Sequence, residues 1–405
     1  MDAISTAHVT AGPAESGFVS AGARRDFWIF CAATFLAFLT SSTIYYLAVV
    51  LASAGMDERT IGYVLSSAVV PMTLAQLLSG HVLRRFAPLR VAIAGQSITL
   101  LAFLSLQLTI ADPIGASLSR IVGGLGFGLF WPAAMVFAKS KLSGSRSAYL
   151  VGIYACMISS PTSLGPGVAE WYFHNFGTAR MFLVLATPLM IALTLTVVLR
   201  GNDRAPAPVA ARQATSYLSM LAARATLLPN AGLLLVGMIW GFGLSFMALL
   251  IDRRGLPAAY FFTSSTVILL VSRFTVARLL TQKLPRDLVV ALGFLSMASA
   301  CATIFVSAGS APALVAGGAL FGAGHSVIFP TLSVWISGHF PPEQRSKAEG
   351  LIGVLLHLGL FGSPLVSGSL AALFGLDDLV MAIAVTAFLS SVAFAARRWT
   401  SAAYG

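Results

Sequence analysis

A chain of 405 residues that is 57% hydrophobic and only 10% charged, with a mean hydropathy of +0.87, is built for lipid, since a soluble domain carries about a quarter charged residues. Its net charge of +11 does not describe a nucleic-acid surface, because the basic residues sit in alternate short loops, the distribution that orients membrane insertion. An outer-membrane barrel is excluded too, as no apolar run shows the ten-residue alternation of barrel strands.

Residues 1–26 are rich in Ala, Gly and Ser and end near Arg24-Arg25. No small-residue cleavage site precedes the first apolar run, so the segment reads as a cytoplasmic tail ahead of a retained helix. Twelve runs of spanning length follow, at 27–51, 61–83, 91–111, 117–138, 147–170, 180–199, 230–251, 259–280, 288–308, 312–336, 349–373 and 377–396. The long polar connection falls between the sixth and seventh. The expected division is therefore a bundle over 27–199, a cytoplasmic linker over 200–229, a second bundle over 230–397 and a short tail over 398–405. Loops on one side, with the tails and linker, hold nineteen Lys and Arg, among them Arg84, Arg85, Arg90, Lys139, Lys141 and Arg146. The other side holds four: Arg59, Arg180, Arg253 and Arg254. This asymmetry places both termini in the cytoplasm.

The two halves repeat at an offset of about 198 residues. Gly124 and Gly126 match Gly322 and Gly324, Pro132 matches Pro330, Gly152 matches Gly350, and Pro166 matches Pro364. One residue out of phase, Tyr63 matches Tyr260, and Gln76 matches Arg273. A duplicated six-helix unit implies a substrate site between the halves near the bilayer midplane.

The stretch from Arg120 to Ala169 draws the most attention. RIVGGLG places an arginine inside an apolar span, where a charge costs several kcal/mol and marks function unless it snorkels to the interface. SLGPGVA breaks the next span at Gly165-Pro166. These residues resemble the major facilitator superfamily. RIVGGLG matches that family's fourth-helix motif of an arginine followed by spaced glycines. GHVLRRFAPLR, from Gly80 to Arg90, is similar to its loop motif, with Arg84 where an aspartate is expected and Ala87 where a second glycine is expected. SLGPGVA resembles the fifth-helix motif of exporters, with Pro161 replacing the upstream glycine and Ala169-Glu170 replacing the closing glycine pair. FFTSSTVILLVSRFTVA, GALFGAGHSVIFPTLS and FPPEQRSKAEG are family-like in the second half. The resemblance implies an all-α membrane fold of twelve transmembrane helices in two pseudo-symmetric bundles. It also implies alternating access, with Gly80, Arg84, Arg85 and Arg90 as gating residues.

Arg120 is the expected central cation, able to bind an anionic substrate group or to influence a proton site. Arg273, deeper in the eighth span, either faces the cavity or reaches the inner interface beside Arg278. Phe38, Ser42, Tyr45 and Tyr46 in the first span, Trp131 in the fourth, and Trp240 and Phe246 in the seventh are expected to wall the substrate site. Their alternative role is helix packing. No carboxylate occupies a span centre, so His325 and His357 are the remaining candidates for relaying a proton, or else neutral groups bonded between helices. Gly124, Gly126, Gly165, Pro166 and Pro364 serve close helix approach and bending. Cys31, Cys156 and Cys301 read as small buried hydrophobes. With no phosphate loop and no Cys/His metal spacing, no enzyme activity, cofactor or metal is expected.

The expectation is a monomeric secondary transporter in the bacterial inner (plasma) membrane. It exports a small amphipathic organic molecule by proton antiport; the rival reading is uptake of a small organic anion clamped by Arg120 and Arg273. Its partners are that small molecule, protons and the lipid bilayer.

Overall fold

The computed structural model describes residues 17–144, 146–202, 217–275, 280, 283–306 and 309–403. Most of the N-terminal tail, most of the linker, Arg278 and the last two residues lie outside the described residues.

The chain is a bundle of twelve helical passes. In order they are α1 (Ala21–Ser53), α2 (Glu58–Arg85), α3 (Pro88–Thr109) and α4 (Pro113–Ser140). There follow α5, in two pieces (Ser147–Ser159 and Pro161–Phe176), and α6 (Met181–Gly201). The second half holds α7 (Arg224–Arg253), α8 (Ala259–Phe274), α9 (Arg286–Val306), α10 (Ala311–His339), α11 (Pro342–Phe374) and α12 (Leu376–Ala403).

Local chemistry sets where helices begin and bend. Ser20, Asp57 and Asp112 each accept a backbone N–H of the first turn they precede. Hydrogen bonds from the Thr60 hydroxyl and then from its backbone N–H hold the Asp57 carboxyl below its ordinary range. Gly177 and Gly375 end α5 and α11 with positive φ, a conformation that costs glycine nothing, and they sit one repeat apart. Inside α1 the helix tightens over Thr43–Tyr46, where Ser41, Ser42 and Thr43 turn their hydroxyls back onto carbonyls three or four residues earlier. Such back-bonding competes with the helical ladder and bends it. In α7 Ser245 does the same to Gly241, next to a break at Phe246.

Packing follows the repeat. Helix α3 lies on α4 as α9 lies on α10, α2 on α4 as α8 on α10, and α1 on α5 as α7 on α11. The halves cross at two equivalent places, α2 against α11 and α5 against α8. One apolar core runs through both halves, joining Tyr46, Leu47 and Val50 of α1 to Met247 and Leu250 of α7. A separate core around Phe27, Phe30, Phe137 and Tyr154 belongs to the first half. There the buried Asp26 pairs with the half-buried Lys141 at 3.1 Å. The passes alternate, so the Lys/Arg-rich loops share one end, here the basic end. Asp57, Glu58, Glu170, Asp252 and Asp377 gather at the other, the acidic end. The core shared by both halves lies at the acidic end.

Candidate substrate pocket

Arg120 is the eighth residue of α4. One face of that helix is glycine-rich, so α2 and α3 approach closely and leave the guanidinium directed between them and α1. It donates from Nη2 to the Leu65 carbonyl of α2 at 3.4 Å, while its buried Nε has no partner.

Around it opens a cavity lined by Phe38, Tyr45, Met72, Phe103, Phe127 and Phe361 among others. A smaller space adjoins it and reaches Gly241, Leu244 and Ser245 of α7 and Pro364 of α11. Arg120, Tyr45, Ile44 and Phe361 line both. The arginine therefore stands where the two halves share one space. No Asp or Glu lines either cavity among the described residues.

Toward the basic end an aromatic layer closes beneath this space. Phe38 meets Trp131 edge-on at 5.4 Å and Phe127 at 5.6 Å, and Trp131 meets His357 edge-on at 6.0 Å. His357 of α11 donates from Nδ1 to Gln76 Oε1 of α2 at 3.0 Å, a bond between the halves. Toward the acidic end the shared apolar core forms the roof.

A membrane bundle with an internal repeat, two equivalent crossings and a midway cavity accords with the family comparison. The family model of the Major Facilitator Superfamily matches residues 30–297 and again 262–404. The chain belongs to the Major Facilitator Superfamily. Solved structures of similar fold include a mutant form of the nucleoside transporter NupG, at 14% identity and a TM-score of 0.75, covering 92% of this chain and 99% of that one. The POT family transporter PepTSo aligns at 13% identity and a TM-score of 0.76, covering 93% and 98%. At such identities the likeness shows the fold. Family and fold together make this a membrane transporter and not an enzyme.

Within this superfamily member, the structure gathers Phe38, Tyr45 and Arg120 around the cavity and sets Trp131 in the layer below. Other residues expected at the substrate wall turn elsewhere. The Ser42 hydroxyl donates to the Pro161 carbonyl at 2.8 Å, holding α1 against α5. Tyr46 is fully buried and donates to Asp252 at 3.2 Å, which draws it into the roof. Phe246, also fully buried, fills the shared core. Trp240 stacks on His325 at 4.0 Å and on Phe321 at 5.2 Å, inside the second half. Arg273 lines neither cavity; its Nε has no partner.

Among the gating residues, Arg84 and Arg85 are exposed at the basic end, and Arg84 contacts His81 at 3.1 Å. Arg90 is exposed at the same end. Gly80 has open space around it, whereas Gly126 lies against Thr99 of α3 and Gly165 against Ser42. Sequence reasoning missed Met72, Phe103 and Phe361. Apolar residues in a lipid-spanning helix look alike whether they face lipid, core or cavity.

Proposed function

We propose that this transporter exports a small amphipathic organic molecule by proton antiport, alternating access between its two ends, and that the molecule carries an anionic group held by Arg120. The supporting observation is the arginine itself: a cation at the junction of two largely apolar cavities, with a buried Nε unsatisfied and no lining carboxylate among the described residues. A charge so placed is costly until a partner of opposite sign arrives, and the guanidinium fork suits a planar carboxylate. The surrounding rings suit an apolar body. The retained Gly165-Pro166 supports export. The charge asymmetry supports an inner-membrane orientation with the basic end, both termini and the linker in the cytoplasm. We take the protein to act as a monomer of two bundles, 27–199 and 230–397.

The test is thermal shift of the purified protein with 2-naphthoate and its neutral analogue 2-naphthamide. A ligand that binds the folded state raises its melting temperature. The expected result is a naphthoate shift exceeding the naphthamide shift in the parent and lost in Arg120→Ala. Equal stabilisation of parent and variant overturns the arginine's role.

A second reading, uptake of an organic anion, draws support from the lack, among the described residues, of a cavity carboxylate on which a counter-moving proton could sit. It rests on Arg120 alone, because Arg273 does not share the cavity. Inside-out vesicles separate the two: proton-driven accumulation of naphthoate favours export, and its failure under an imposed gradient favours uptake.

A further inference from the structure

Arg273 lies on the side of α8 that meets the first half. Thr266, two turns earlier, shares a hydrogen bond between hydroxyls with Thr162 of α5 at 3.0 Å, and residues seven apart on a helix share a face. Arg273 is half-buried, and its Nε is buried without a partner. Two titratable side chains come within electrostatic reach of it, Cys156 of α5 and His325 of α10, and among the described residues no Asp or Glu joins them. His325 is 8% exposed. Trp240 stacks on its ring at 4.0 Å and fixes the ring plane, while its Nδ1 is buried without a partner. An imidazole protonated on that nitrogen has a donor to offer.

The internal repeat shows what the other crossing does instead. Gln76 of α2 is the match of Arg273, and it joins the halves through its bond with His357 of α11 at 3.0 Å. The residue 198 positions before His357 is Ser159 of α5, which brings no charge. One crossing is thus bridged by a neutral pair. At its counterpart a cation faces no charge of opposite sign among the described residues. Such a cation is costly in lipid until an anion arrives.

Arg273 is also displaced from Arg120. Its place fourteen residues into α8, against seven into α4 for Arg120, puts it roughly 10 Å nearer the basic end at the helical rise per residue. It lines neither cavity around Arg120, so the two cations are separate stations and not the jaws of one clamp.

We infer that Arg273, with His325 beside it, is a second anion-binding station between the Arg120 cavity and the basic end. Its ligand is the carboxylate of an organic anion, so the station rests on the proposed anionic solute. The guanidinium fork accommodates both oxygens, and His325 Nδ1 adds a donor. The anion is held there without the Phe38, Phe127 and Phe361 rings that line the Arg120 cavity, so this station is the weaker and fills at higher concentration. A weak site next to a strong one divides release from the strong one into smaller steps.

Cys156, half-buried and within reach of Arg273, is a reporter already in place. In the full chain with Cys31 and Cys301 replaced by serine, reconstituted in liposomes, the rate of Cys156 alkylation by N-ethylmaleimide is followed against 2-naphthoate concentration. The cysteine-free background, with Cys156 replaced as well, gives the blank. Naphthoate at ten times the dissociation constant of the weaker station is expected to slow alkylation roughly tenfold, in this parent and in Arg120→Ala alike. Neutral 2-naphthamide is expected to leave the rate unchanged. Arg273→Gln is expected to lose the protection and keep the naphthoate thermal shift, which also shows that it folds. Arg273→Lys, which retains the charge, is expected to retain part of the protection. Naphthoate flux is expected to fall roughly tenfold in Arg273→Gln and to recover in part in Arg273→Lys, and this flux decides alone where Cys156 proves unreactive.

Protection that survives Arg273→Gln, or flux unchanged in that variant, overturns the station. A thermal shift lost in Arg120→Ala, with no protection of Cys156 at any concentration, removes the second station and leaves the proposed function standing. Protection that needs Arg273, without any shift that depends on Arg120, does the reverse.

Discussion

At the scale of single residues, the molecule keeps an arginine in a largely apolar setting. Arg120 makes one long bond to a carbonyl and leaves Nε buried without a partner. An unsatisfied buried donor costs about 1–3 kcal/mol, more when charged, and the adjoining cavity relieves part of that. Arg120→Met is therefore expected to leave the melting temperature of the ligand-free protein unchanged or raise it, while naphthoate flux is lost. Arg120→Lys keeps the charge without the planar fork and is expected to bind naphthoate more weakly than the parent. Differential scanning fluorimetry beside a liposome flux assay checks both. A fall of several degrees in Arg120→Met would show that the arginine holds the fold together. The site was legible here because few charges enter the spans at all, so Arg120 stood out, with Phe38 and Tyr45 at helical spacing nearby. Glu170 was legible only as a carboxylate at a span end. Its partners are two backbone N–H groups 88 and 89 residues away, which no side chain announces.

At the scale of helices, the glycines divide by what they touch. Gly124 of α4 and Gly322 of α10 are equivalent in the repeat, and each presses on backbone. A Cβ on Gly124 would lie 2.3 Å from the Ala68 oxygen of α2, and one on Gly322 would lie 2.0 Å from the Ser265 oxygen of α8. Backbone in a packed helix cannot yield as a flexible side chain does, so overpacking of this kind costs about 1–3 kcal/mol or more. Gly124→Ala and Gly322→Ala are each expected to lower the melting temperature. Gly80→Ala, with nothing within 4 Å, is expected to be neutral or slightly stabilising, because alanine is the better helix former. A neutral Gly322→Ala would contradict the close α8–α10 contact. Spans were readable from hydropathy because lipid demands apolar helical segments of a set length. Their ends were less so: α11 starts at Pro342 and not near 349, since caps and first turns lie beyond the apolar run.

At the scale of the whole molecule, the two halves are joined most firmly at the acidic end. The shared apolar core, the Glu170 contacts, Tyr46 on Asp252, and the pair of Glu58 with Arg253 at 2.6 Å all cross there. The last of these is partly exposed, and surface pairs are worth about 0–1 kcal/mol, so it marks the seam more than it holds it. That makes it a suitable place to intervene. Alternating access requires this seam to part once per cycle, while the cavity around Arg120 is already formed with the seam shut. Glu58→Cys with Arg253→Cys, joined by a short bifunctional thiol reagent in the cysteine-free background, is therefore expected to abolish naphthoate flux across liposomes and leave the naphthoate thermal shift intact. Arg253→Ala alone should alter flux little. Flux that survives complete cross-linking would mean that solute passes without the acidic end opening, and the two halves would then have to move by some other relation than rocking about the cavity between them.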